Sequence, residues 1–121
     1  MNDVETTLQA VKDVIRRFTD ERQWQQFHSL KNLSMAIASE AGELMAHFRW
    51  AADATVAEVM QDATSAQEVR HEVADVLLLL AEFANVAGID LAEAVEDKMR
   101  LNARRYPVEK AKGTAAKYDR L

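Results

Sequence analysis

Apolar residues in this chain recur every three to four positions over several long stretches, and a chain patterned in this way buries its apolar surface as amphipathic helices. Val4, Leu8, Val11, Ile15 and Phe18 form the first stripe and predict a helix running to about Arg22. Residues 24–28 break the spacing and read as a loop. Ser29 is placed to cap a second helix, whose stripe is Leu30, Leu33, Ile37, Ala41, Leu44 and Phe48 and which ends near Trp50. A polar linker over 51–66 follows, with room for a short helix after Thr55. Val69, Val73, Val76, Leu80 and Phe83 mark a third helix that stops at Gly88, a residue suited to the left-handed position after a helix. Asp90 and Glu93 make a capping box for a fourth helix, with Leu91, Ala94 and Val95 facing inward and Tyr106-Pro107 closing it.

Three Gly and one Pro in 121 residues leave little to punctuate strands or tight turns. The predicted fold is therefore all-α, a four-helix-bundle type completed by homo-oligomerisation. A single domain over 1–121 is expected, with its core at about 3–106 and a polar C-terminal arm at 107–121.

The formal charge of −5 argues against a sequence-independent grip on nucleic acid, which needs basic surface to displace counterions from phosphates. With no cysteine there is neither a disulfide framework nor a thiol nucleophile, and a reducing cytoplasm is the expected compartment. The first residues lack the basic-then-apolar pattern of a signal peptide, and the longest strongly apolar run, 76–81, is too short to span a bilayer, so no membrane partner is expected.

Two motifs interrupt apolar stripes with acid: Glu40-Ala41-Gly42-Glu43 and Glu72-Val73-Ala74-Asp75. At about 100° per residue, Glu40 lies about 60° from Ile37 and Glu72 about 40° from Val76, with Glu43 and Asp75 at the stripe edges. Either pair alone reads as a solvated helix edge. Both pairs, on consecutive antiparallel helices, would face one another and converge on a hard cation, because unpaired carboxylates beside a core cost several kcal/mol each. An all-oxygen donor set favours Mg²⁺, with Mn²⁺ as a substitute. A di-iron site would need a second inward-facing partner for the Glu68-Val69-Arg70-His71 string, and the chain has none.

Lys98, Asn102 and Arg105 share one face of the fourth helix. They read either as cations complementing the helix dipole or as donors to a polyphosphate. Trp24 and Trp50 flank the acid-bearing second helix and suit either base stacking or an interface.

These residues are similar to the all-α nucleoside triphosphate pyrophosphohydrolases, the MazG-like family, and within it to the dCTP pyrophosphatase branch. The resemblance runs from about Glu21 to Tyr118. It rests on the paired acids and on three further strings: residues 21–28 (ERQWQQFH), Phe48-Arg49-Trp50, and residues 98–107 (KMRLNARRYP). It implies Mg²⁺-dependent cleavage of a (deoxy)nucleoside triphosphate, dCTP or a relative, to the monophosphate and pyrophosphate. It implies that Glu40, Glu43, Glu72 and Asp75 hold the metal, with Glu43 as the catalytic candidate. Trp24, Gln25, Gln26, Phe27, His28 and Trp50 would form the base and sugar pocket, and Lys98, Asn102, Arg105 and Tyr106 would approach the phosphates. A dimer or tetramer with shared active sites is implied as well. Ser39 stands where some relatives carry Glu, which leaves the water-activating group open, and Leu79 stands where others carry a Tyr that meets the nucleotide, which implies a broad base preference. Apart from the resemblance, a non-catalytic helical oligomerisation module or a nucleotide sensor would use the same stripes, with the acids solvated or binding without hydrolysis.

Overall fold

Each long helix begins at a side chain that satisfies backbone donors left over in the first turn. In the computed structural model, which describes residues 1–121, Thr7 accepts from the Ala10 amide and starts α1 (Leu8–Glu21), while Ser29 accepts from the Asn32 amide and starts α2 (Leu30–Ala46). A short α3 (Glu58–Gln61) precedes α4 (Ala63–Ala87), which is capped by Asp62 on the Ser65 amide and closed by Gly88 in the left-handed region at φ 67°. Asp90 caps α5 (Leu91–Arg105) through the Glu93 amide. A single turn, α6 (Val108–Ala111), and a 3₁₀ turn at Tyr118–Arg120 end the chain. There is no strand, and the fold is all-α as the periodicity requires.

Three boundaries differ from the sequence expectation. Val4 lies outside α1 and is exposed, because Thr7 supplies the cap and the helix begins after it. α2 stops at Ala46, and residues 47–50 form turns. α4 starts at Ala63, six residues before Val69, because Asp62 is a better helix start than the polar linker suggested.

The chain divides into two compact units, Met1–Ile89 and Asp90–Leu121. In the first, α4 is the central element, and α1, α2 and α3 each pack on it. Leu33 of α2 and Val69, Ala81 and Ala84 of α4 are buried, the two alanines allowing close approach to α4. Along the predicted α4 stripe, Val73 and Leu80 are instead exposed, since a 25-residue helix with these neighbours has more faces than one chain covers. In the second unit, Tyr118 packs edge-on against Tyr106 at 6.1 Å and beneath the Arg105 guanidinium at 4.5 Å, so the tail folds back onto the end of α5. Ala94 and Val95, expected to face inward, are exposed.

Candidate functional site

α2 contributes Glu40 and α4 contributes Glu72 and Asp75, and one carboxylate oxygen from each lies within 4.8 Å of the other two. Glu40 and Glu72 are half-buried and Asp75 is exposed. The helix geometry explains the meeting, because Glu72 and Asp75 are three residues apart and project from neighbouring positions of one face toward α2. Partial burial, the negative charges of Asp75, Glu72 and Glu43, and a hydrogen bond toward the Glu72 carboxyl together push the Glu40 pKa above its ordinary 4.5. No Lys or Arg pairs with the three acids. The nearest positive-capable group is His47 at the end of α2, 3.8 Å from Glu72 and 3.9 Å from Glu68. Three hard oxygen donors with mutual repulsion and no intrachain cation fit a divalent ion of the Mg²⁺ type.

Glu43 follows Glu40 by one helical turn and is exposed. It lies outside the convergent trio, although its charge acts on Glu40. Beside the trio, a cavity of about 310 Å³ is lined by Ile15, Phe18, Glu40, Asp75, Leu78 and Leu79. The position singled out for base preference, Leu79, is thus on its wall. Ile15 and Phe18 read in the sequence as packing residues of α1, yet they line this cavity as well.

The turn after α1 is held by its own side chains. Gln23 takes a left-handed conformation at φ 53°, which reverses the chain, and the Gln26 amide donates to the Gln23 carbonyl at 3.0 Å. The Gln25 amide donates to Asp20. Trp24 then stands edge-on to Phe18 at 5.7 Å and to His28 at 6.3 Å, and Asn32 ties down the Phe27 carbonyl. Trp50 is 86% exposed, with the Arg49 guanidinium 5.4 Å from its ring. Lys98, Asn102, Arg105 and Tyr106 lie on α5 and at its end, in the second unit. His71 is exposed, with its ring hydrogen-bonded to Gln67 on the same helix.

One buried acid was not singled out from the sequence. Glu82 of α4 is 3% exposed and meets His28 Nδ1 at 3.2 Å, Asn85 Nδ2 at 3.3 Å and Thr19 Oγ1 at 3.3 Å. The available signal was spacing, since Glu82 follows Asp75 by seven residues and so repeats its face after two turns.

The sequence model of the MazG-like family matches residues 35–121. The chain is 37% identical over 117 residues, 97% of its length and 69% of the relative's, to dCTP pyrophosphatase 1 of Rattus norvegicus. Over the same shares it is 35% identical to dCTP pyrophosphatase 1 of Homo sapiens. Among solved structures, a pyrophosphatase from Archaeoglobus fulgidus matches with a TM-score of 0.78 at 35% identity, covering 88% of this chain and 98% of that one.

Proposed function

Because the chain belongs to the MazG-like family, we propose that it hydrolyses a deoxynucleoside triphosphate, dCTP foremost, to the monophosphate and pyrophosphate in a Mg²⁺-dependent reaction. The observation that carries this reading is the convergence of Glu40, Glu72 and Asp75 beside a cavity whose other walls are apolar. Those three acids, together with Glu43 one turn along α2, would hold the metal, with Mn²⁺ able to replace it. When bound, Mg²⁺ supplies charge neutralisation for the triphosphate and Lewis-acid polarisation at phosphorus.

The chain's own residues account for the rest. Water attacks the α-phosphorus and the bond from it to the bridging oxygen breaks, so that pyrophosphate leaves. Glu43, exposed beside the trio and free of an ion pair, takes the water's proton. Trp24, Phe27, His28 and Trp50 take the base and sugar, with Gln25 and Gln26 setting the turn that carries them, and Lys98, Asn102, Arg105 and Tyr106 serve the phosphates. Leu79, an aliphatic wall without a hydrogen-bonding group, admits more than one base, so other deoxynucleotides are also turned over.

A homo-oligomer, dimer or tetramer, is part of the proposal. Val73, Leu77 and Leu80 form an exposed apolar stripe on α4, and Phe27, Met35 and Met45 are exposed as well, which a second copy of the chain would cover. No helix is long and apolar enough to cross a membrane. The lack of cysteine fits a cytoplasmic setting, and the acidic balance fits a small chelated anion rather than nucleic acid.

The test is incubation of the pure protein with each common ribo- and deoxynucleoside triphosphate and Mg²⁺, followed by separation of the products. The expected result is monophosphate with pyrophosphate, fastest from dCTP. Diphosphate with phosphate, or no product, would overturn the assignment.

A further inference from the structure

We propose that Glu82 is a positioning residue for the nucleotide pocket, acting through His28 on Trp24. The inference rests on the reading of Trp24 and His28 as pocket residues.

Glu82 is a buried acid with a defined set of donors. The Thr19 hydroxyl has one proton, and its shorter contact, at 2.9 Å, is to the Arg16 carbonyl; its contact to Glu82 is 3.3 Å. Asn85 Nδ2 donates at 3.3 Å to Glu82 and at 2.9 Å to the Lys12 carbonyl, while its oxygen accepts from Arg16 at 2.9 Å. Asn85 thereby fixes α1 against α4, and Glu82 lies within this seam. The donor that completes the carboxylate is His28 Nδ1 at 3.2 Å. An acceptor there places the ring proton on Nδ1, sets the orientation of the imidazole, and leaves Nε2 as its other polar edge.

Orientation of His28 then propagates. Its ring meets Trp24 edge-on at 6.3 Å with planes at 64°, Trp24 meets Phe18 at 5.7 Å with planes at 76°, and Phe18 lines the cavity that also holds Glu40 and Asp75. On α4, Glu82 and Asp75 share a face and stand about 10 Å apart along the axis, at 1.5 Å per residue. The cavity walls Leu78 and Leu79 fall between them. One end of this face gathers the acids that suit a metal, and the other fixes the aromatic turn. The turn needs such an anchor because it begins at the left-handed Gln23, a conformation that a non-glycine residue holds only when its surroundings dictate it.

The experiment compares the full chain with Glu82→Met, which keeps the volume and removes both acceptors, and with Glu82→Gln, which keeps one oxygen for His28. Glu82→Met is expected to raise KM for dCTP by about tenfold with kcat within about twofold, as misplacement of a binding group does. The Mg²⁺ concentration for half-maximal activity stays unchanged, and Glu82→Gln recovers most of the lost affinity. In a Trp50→Phe background Trp24 is the remaining tryptophan, and its emission is expected to shift to the red and become more open to acrylamide quenching in Glu82→Met.

His28→Phe, which keeps an aromatic ring and removes the hydrogen bond, reproduces the KM and quenching changes, and combining it with Glu82→Met adds little. A fall in kcat at constant KM, a changed Mg²⁺ requirement, full additivity with His28→Phe, or unchanged Trp24 quenching would each overturn the proposal. If Glu82→Met does not fold, His28→Phe alone decides, with unaltered KM and quenching refuting it. The quenching needs no turnover, so failure of the assigned reaction and failure of the positioning role are read separately.

Discussion

Two acids on one face of α4 meet opposite fates. Asp75 gathers with Glu72 and Glu40, negative charge against negative charge, without a Lys or Arg to relieve it; Glu82, two turns on, is buried among an imidazole, an amide and a hydroxyl. Both are acids beside a core, and the difference lies in what surrounds them. A carboxylate supplied with donors is satisfied within the chain and holds elements in place, whereas carboxylates that repel one another have an affinity left for an external cation.

The sharpest separation of the two regions is in turnover. Asp75→Asn or Glu72→Gln is expected to lower kcat/KM for dCTP by about a thousandfold, the scale of a lost metal-site ligand, while leaving the thermal midpoint at or above that of the parent chain. Steady-state kinetics beside thermal unfolding check this pair of outcomes.

The next effect is in stability and falls on the other acid. Glu82→Ala strips the acceptor from His28 and Asn85 inside the α1 and α4 seam and should destabilise the chain by about 1–3 kcal/mol, measured by urea unfolding. If Asp75→Asn destabilises as much as Glu82→Ala, the distinction drawn between the two acids fails.

Much of this was legible in the sequence, and the gaps have physical causes. Ser29, Gly88 and Asp90 were readable because caps and stops are local chemistry, settled within a few residues of chain. The carboxylate pairs were readable because a three-residue spacing fixes a helix face. That Glu43 would sit outside the trio was not, since both members of its pair border the same stripe and the approach of α4 decides which one meets Glu72 and Asp75. Glu82 was hidden for a similar reason. Its donors come from α1 and from the turn at His28, far away in sequence. Phe18 belongs to α1's apolar stripe, and only the fold shows that the same ring borders both the cavity and Trp24.

Smaller effects refine the comparison. Leu79→Tyr adds a hydroxyl to the wall between the two acids and should raise the preference for dCTP over other deoxynucleotides by about three- to tenfold, read as a ratio of kcat/KM values. An unchanged ratio would mean that this wall does not face the base.

The smallest is electrostatic. Glu40's pKa is raised in the folded chain, so between the ordinary 4.5 and that raised value the folded state holds more protons than the unfolded one. Stability without metal is therefore expected to fall as pH rises through that window, and Glu40→Gln should remove the loss. Unfolding midpoints across pH in the presence of a chelator measure it, and Mg²⁺ should reverse the slope by binding the ionised cluster.

The central claim is that the crowded acids of α2 and α4, and not the satisfied one, bind the catalytic metal. Calorimetric titration of Mg²⁺ into protein saturated with a non-hydrolysable dCTP analogue tests it most directly. The account predicts saturable binding by the parent chain, the same affinity in Glu82→Gln, and loss of binding in Asp75→Asn. Undiminished Mg²⁺ binding in Asp75→Asn, or binding lost in Glu82→Gln, would contradict it.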